Sequence, residues 1–301
     1  MRTRFVKSRN ELCGTAKKGI IWLVVSAVGY STLVVLIKGA VAVGLNAETT
    51  LALRFSIAAL VWWAILLLRR RPPWPGISLA SRAVGVGAFF YATNALCYYQ
   101  GTALVQSTIA AMAIAAVPAV VALLAWLFLR ERLGWKTWLA LVLAVAAGMM
   151  LAGGTGEESD VLGMLWLGGA VLLYSLYIVV SAPLSRSLSS AVAITYILTG
   201  AAIFFWAWGG IAGRLNFDFA PLGWAIVLGM ALVPGVLAMF AFLRGSEAVG
   251  PTRAAIVNVL EPVSAVVLTV LLLGDWPTLL QCGGCLLAIS STLLVQRGWS
   301  G

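Results

Sequence analysis

Residues 19–31 read Gly-Ile-Ile-Trp-Leu-Val-Val-Ser-Ala-Val-Gly-Tyr-Ser, and residues 163–175 read Gly-Met-Leu-Trp-Leu-Gly-Gly-Ala-Val-Leu-Leu-Tyr-Ser. Gly19 falls on Gly163, Trp22 on Trp166 and Tyr30-Ser31 on Tyr174-Ser175, always 144 positions apart. Moving outward at the same offset and without a gap, Trp62 falls on Trp206, Arg70 on Arg214, Gly85 on Gly229 and Gly101 on Gly245. Pro118 falls on Pro262, and the acid Glu131 on the acid Asp275. One unit is therefore written twice, and each copy carries five long apolar runs. Five is odd, so in a membrane the second copy enters from the side opposite to the first, which makes two inverted halves.

The membrane itself follows from composition. The chain of 301 residues is 62% hydrophobic and 10% charged, whereas an ordinary globular chain is about a quarter charged. A helical span needs roughly 20 apolar residues. Ten runs fit, near 19–39, 47–68, 83–103, 108–129, 137–154, 162–183, 190–210, 221–243, 254–273 and 278–296. The runs are continuous rather than alternating, which excludes a transmembrane β-barrel. The expected fold is an all-α integral membrane protein of ten transmembrane helices in two inverted five-helix repeats. Its parts are a basic cytoplasmic tail (1–18), a first repeat (19–152), an acidic external linker (153–162), a second repeat (163–296) and a cytoplasmic tail (297–301). The first run follows a basic tail, as the core of a signal peptide does. It lacks a clear cleavage signal and has a partner at 163–183, so a retained helix is expected.

The net charge of +10 invites a nucleic-acid reading, but the placement of the charges argues for lipid. With the N-terminus in the cytoplasm, the inner segments hold Arg2, Arg4, Lys7, Arg9, Lys17 and Lys18, then Arg69, Arg70, Arg71 and Arg82. They also take Arg130, Arg132, Lys136, Arg186, Arg244, Arg253 and Arg297. Of the 20 Lys and Arg, the outer loops keep only Arg214, and Lys38 and Arg54 lie in or at the edge of helices. This is the positive-inside rule, and it puts both termini in the cytoplasm of a multi-pass protein of the bacterial inner membrane. No nucleic-acid partner is expected.

Four cysteines, Cys13, Cys97, Cys282 and Cys285, imply no disulfide framework. Cys282-Gly-Gly-Cys285 has metal or redox spacing, but it lies inside the last span of a chain without histidine. Small residues at a helix contact account for it. No metal, no cofactor and no catalytic residue are expected, since a membrane enzyme would need acid/base groups that this chain barely supplies. No G-x-x-x-x-G-K-[ST] segment is present to use ATP.

Residues shared by the copies are scaffold; those polar in one copy and apolar in the other point to function. Lys38 stands opposite Ala182, Arg54 opposite Leu198, Asn94 opposite Ala238, Asn258 opposite Ile114 and Glu261 opposite Val117. A charge at a helix centre costs about 2.5–3.5 kcal/mol on insertion scales, so such a residue faces protein or water and finds a partner. Lys38, at the outer end of the first span, either meets a substrate or snorkels to the interface. Arg54 either meets a substrate or ties helices through backbone carbonyls. Glu261, about 10–12 Å from the cytoplasmic end of the ninth span at 1.5 Å per residue, is the candidate for proton coupling or amine binding. Tyrosines deep in their spans, Tyr30, Tyr91, Tyr174 and Tyr177, with Tyr99, either line a central cavity or pack. Pro118 and Pro262, roughly ten residues into the fourth and ninth spans, each remove a backbone bond. They are candidate hinges, or static kinks.

At these residues the chain resembles the drug/metabolite transporter superfamily, with two EamA-type repeats. Tyr30-Ser31-Thr32-Leu33-Val34-Val35-Leu36-Ile37-Lys38-Gly39 is similar to the corresponding segment of YddG-type amino-acid exporters. Arg54-Phe55, Leu260-Glu261-Pro262-Val263 and Gly274-Asp275 resemble common EamA patterns, with Asp275 where the family usually has Glu. The resemblance covers residues 19–296. It implies a central cavity between the first four helices of each half, with the fifth and tenth to the side. It also implies export of amino acids, other metabolites or drugs by a secondary transporter working by alternating access. A small-molecule substrate and the lipid bilayer are the expected partners, with Lys38 or Arg54 toward a substrate carboxylate and Glu261 or Asn258 toward its ammonium or a proton. A cationic-toxin exporter of the methyl viologen type, and a passive channel, are the alternatives.

Overall fold

The computed structural model describes residues 2–68, 74–129, 160–249, 257 and 260–299, together with part of the stretch 135–150. Helix is the only regular structure among them. The first copy contributes α1 (Arg2–Ala42), α2 (Ala47–Leu68), α3 (Ile77–Val86), α4 (Ala92–Leu104), α5 (Ser107–Ala113) and α6 (Val117–Leu129). The second contributes α7 (Val161–Ser187), α8 (Ser190–Ile211), α9 (Leu222–Leu232), α10 (Met239–Val249), α11 (Leu260–Leu273) and α12 (Leu279–Trp299). Five stretches are long and apolar enough to cross a bilayer: Lys17–Ala42, Ala47–Leu68, Val161–Ser181, Ser190–Ile211 and Leu222–Ser246. Bulky side chains such as Leu60, Leu67 and Ile211 point outward on these stretches, as do Leu271 on α11 and Leu286 on α12. An apolar exterior of that extent fits a lipid solvent rather than water.

Local chemistry sets the ends. Asn46 Oδ1 accepts the Thr49 N–H at 3.0 Å and so caps α2. Asp160 Oδ1 accepts the N–H groups of Leu162 and Gly163 at the start of α7, at 2.9 and 3.4 Å. After α11 the chain reverses at Gly274, whose φ of 73° lies in the left-handed region that glycine enters without a Cβ penalty.

The packing shows the inversion directly. α2 and α8 are the same element in the two copies, and they form the broadest helix contact among the described residues. Glu48, at the start of α2, pairs with Arg214 just past the end of α8 at 3.1 Å. Midway, Trp206 Nε1 donates to Ser56 Oγ at 2.8 Å, and further on Trp63 Nε1 donates to Thr199 Oγ1 at 3.0 Å. Numbers rise on one helix as they fall on the other, so equivalent helices run antiparallel. The remaining contacts obey the same two-fold. α1 packs on α10 and α11, and α7 packs on α4 and α6; α5 meets α11 across the axis. Among the described residues, α12 packs on the fourth span through α5, α6 and the turn between them. Ala147 and Leu287 meet at Ala115 there.

Two spans that read as continuous helix are interrupted. A π segment at Gly87–Tyr91 separates α3 from α4, and another at Val233–Ala238 separates α9 from α10. Less 144, the second covers 89–94, so the two overlap at equivalent places. In the second copy Pro234 supplies no N–H, and a carbonyl in this segment, that of Gly235, accepts Trp62 Nε1 at 3.1 Å. The fourth span tightens to a 3₁₀ turn at Ile114–Ala116, immediately before Val117-Pro118. The backbone thus loses regularity at the hinge candidate Pro118. Pro262 is buried in the first turn of α11, and the chain leading into it lies mostly outside the described residues.

Candidate functional site

α1, the first π segment and α7 bring tyrosines near one another at mid-bundle. Tyr91, in the π segment, lies 5.1 Å between ring centroids from Tyr177 on α7, and Tyr177 stacks on Tyr174 at 5.7 Å. Tyr174 and Tyr177 are three apart and so share a helix face. Phe55 on α2 extends the row, 5.6 Å from Tyr91 and 5.8 Å from Phe205 on α8. Tyr30 on α1 is within electrostatic reach of Tyr91, Tyr174, Tyr177 and Glu261. Tyr30, Tyr91, Tyr174, Tyr177 and Glu261 are each half-buried.

Arg54 lies close to Tyr91, Tyr30 and Tyr98. It is 6% exposed, with Cζ 5.1 Å from the Phe55 ring centroid. Its Nε has no hydrogen-bond partner, and no described carboxylate pairs with it. Tyr98, a neighbour of the candidate Tyr99, donates its hydroxyl to the Ala110 carbonyl at 3.4 Å and lies within electrostatic reach of Arg54 and Glu261.

Other candidates sit elsewhere. The Tyr99 hydroxyl donates to the Leu45 carbonyl at 3.0 Å and lies 3.4 Å from Thr50 Oγ1, at one end of the bundle. Its role there is to hold the α1–α2 turn. Tyr99→Phe is expected to lower stability by about 1 kcal/mol and to leave transport unchanged, checked by thermal unfolding and flux on one preparation. Lys38 Nζ donates to the Val105 carbonyl at 2.6 Å, toward that same end rather than the tyrosines. Asn94 is half-buried on α4. Asn258 lies outside the described residues.

Inverted helical repeats packed about a shared axis are the usual architecture of a secondary membrane carrier. The chain belongs to the EamA-like transporter family, whose model matches residues 17–153 and again 161–297. It is a multi-pass membrane protein. Two proteins of Bacillus subtilis (strain 168), described as uncharacterized transporters, are similar over much of their length. YcbK is 26% identical over 282 residues, covering 90% of each chain. YdfC is 23% identical over 227 residues, covering 75% of this chain and 73% of its own. A crystal structure sharing 19% identity matches 94% of this chain and 97% of its own with a TM-score of 0.63, and so has the same fold.

Proposed function

We propose that this transporter is a ten-span secondary exporter of amino acids, aromatic or other neutral ones favoured, working by alternating access. Its repeats are residues 19–152 and 163–296, joined by the external linker 153–162. Both termini, the tails 1–18 and 297–301, lie in the cytoplasm of a bacterial inner-membrane protein. The distribution of Lys and Arg supports that orientation.

One observation carries the cargo reading: the buried guanidinium of Arg54, with Nε unpartnered and no described acid beside it. Burying a charge is costly unless it is paired. The sister position is Leu198, so the scaffold does not need the charge. A carboxylate brought by the cargo completes it, in the bidentate fashion that guanidinium favours. On the other side of the tyrosines stands Glu261, also without an ion pair to any described residue, to take an ammonium or a proton. Two lone charges of opposite sign in one aromatic chamber suit a zwitterion. The tyrosines and Glu261 would also stack and pair with a cationic drug, but Arg54 opposes a second positive charge. The flux of a channel would not show saturable counterflow.

The test is counterflow into proteoliposomes loaded with phenylalanine, phenethylamine or hydrocinnamic acid. The zwitterion is expected to exchange at least about tenfold faster than either single-charge analogue, since about 1.4 kcal/mol of lost pairing is tenfold. If no amino acid moves faster than through protein-free vesicles, the cargo reading fails. Glu261→Gln is expected to abolish stimulation by a pH gradient while counterflow persists. Unchanged stimulation removes Glu261 from coupling.

A further inference from the structure

At the end of the bundle that carries Tyr99, three side chains close on one turn, Val105-Gln106, and the residue after it. Lys38 on α1 donates from Nζ to the Val105 carbonyl at 2.6 Å. Gln281 on α12 donates from Nε2 to Gln106 Oε1 at 3.1 Å. Asp275, in the α11–α12 turn, accepts the backbone N–H of Ser107 on Oδ2 at 3.2 Å. The clasp is itself braced. Lys38 and Asp275 are within electrostatic reach of each other. Gln281 is fully buried and exchanges two hydrogen bonds with Thr278, its Oε1 accepting the Thr278 N–H at 2.9 Å and its own N–H reaching Thr278 Oγ1 at 3.2 Å. Two of the three closing residues belong to the second copy, so the clasp joins the halves.

The same turn in the other copy cannot be held this way. Adding or subtracting 144 turns Ser107 into Pro251, Gln106 into Gly250, Lys38 into Ala182 and Gln281 into Thr137. Proline has no N–H to give the acid, glycine has no side chain, and alanine has no amino group. Of the closing set only the acid persists, as Glu131. A duplicated protein has thus kept a lock at one end and lacks its chemistry at the other.

The clasped tip is also flanked by irregular backbone. Residues 92–113 are bounded by the π segment Gly87–Tyr91 on one side and the 3₁₀ turn Ile114–Ala116 on the other. Such irregular turns are where helices hinge.

We infer that the clasp makes the outer face the shut face at rest, so that the tyrosine chamber is loaded from the cytoplasm and the clasp breaks once per cycle. This rests on the proposed carrier and on its orientation. Cargo arriving from the shut side binds only the open fraction, so its apparent affinity falls by that fraction. The asymmetry therefore weakens apparent affinity from the outside, while the gradients still set the direction of net flux.

Ser107→Pro isolates the effect. It deletes the amide that Asp275 accepts and installs the residue of the other copy. Ser107 is the first residue of α5, where proline is tolerated. Gln106, at φ −59° and ψ 140°, already has the extended backbone that precedes proline. Ser107→Ala keeps the amide. In a cysteine-free background, spin labels at Leu104→Cys and Trp276→Cys, both exposed positions, report the gap by dipolar spectroscopy in proteoliposomes. Ser107→Pro and Lys38→Met are each expected to raise a longer-distance population about tenfold, and Ser107→Ala to match the parent. The inference is overturned if Ser107→Pro and Lys38→Met both keep the parent distribution, or if Ser107→Ala shifts as Ser107→Pro does. Counterflow in the same vesicles reports on the carrier separately. Flux with an unmoved gap sinks the clasp, and a moved gap without flux sinks the carrier while leaving the clasp.

Discussion

Arg54→Leu is expected to abolish transport and, in the same preparation, to raise thermal stability. The two effects have one cause. In the protein without cargo, Arg54 is a nearly buried cation whose Nε bonds to nothing and which faces no described acid. At a helix centre, insertion scales separate arginine from leucine by about 3 kcal/mol. Discounting the volume that leucine fails to fill, a gain of about 2 kcal/mol remains. Leu198, at the equivalent place in the other copy, is 1% exposed, so a leucine suits such a site. Against that gain, the cargo loses its only described cationic partner in the chamber. Removing one member of a desolvated, hydrogen-bonded charge pair costs about 2–5 kcal/mol of binding, so flux should fall by about a hundredfold or more. Melting curves and counterflow on one batch check both. A loss of stability together with loss of flux would mean that Arg54 ties helices together, and the anion-site reading would fall.

How far this was legible beforehand depends on the kind of information required. The antiparallel α2–α8 pairing follows from a self-alignment and the parity of five, and Glu48–Arg214 and Trp63–Thr199 show it in contact. Depth along a span can be read too, and it marks Tyr91, Tyr174 and Tyr177, whose rings pack in a row, alongside Tyr30. Face could not be read. Tyr98 and Tyr99 share a depth but sit about 100° apart on the helix. One donates to the Ala110 carbonyl, the other to the Leu45 carbonyl. In an apolar bundle surrounded by lipid, the amphipathic stripe that normally fixes phase is missing. Lys38 shows the same limit from another side. Its lack of a counterpart marked it as special, but its partner is a backbone carbonyl at Val105, and main-chain acceptors leave no mark in composition. The π segments were invisible for a related reason: nothing in Gly-Ala-Phe-Phe-Tyr demands one, and only packing against a neighbour selects it.

That neighbour is α8, and its crossing with α3 gives the largest expected effect on folding. Gly87, where the π segment begins, lies on the backbone of Ile197, and Gly200 lies on the backbone of Val84. A Cβ at either position would occupy main-chain atoms of the other helix, which cannot rotate aside as a side-chain tip does. Small residues at helix crossings in lipid permit this approach, and van der Waals packing is what drives such association. Gly87→Ala and Gly200→Ala are each expected to cost about 3 kcal/mol, at the upper end of overpacking penalties, and to deplete folded protein in the membrane. The pair is expected to be strongly sub-additive. Once either methyl has pushed the helices apart, the second enters a gap already opened, and a double-mutant cycle measures that coupling. Gly85 and Gly210, with open space around the same hypothetical Cβ, are the controls. Alanine there should be silent or slightly stabilising, as expected for glycine replaced within a helix. Full additivity of the two costs would mean that the glycines act at separate contacts. The third and seventh spans would then not be held at one close crossing, and the placement of Tyr91 beside Tyr177 would need another cause.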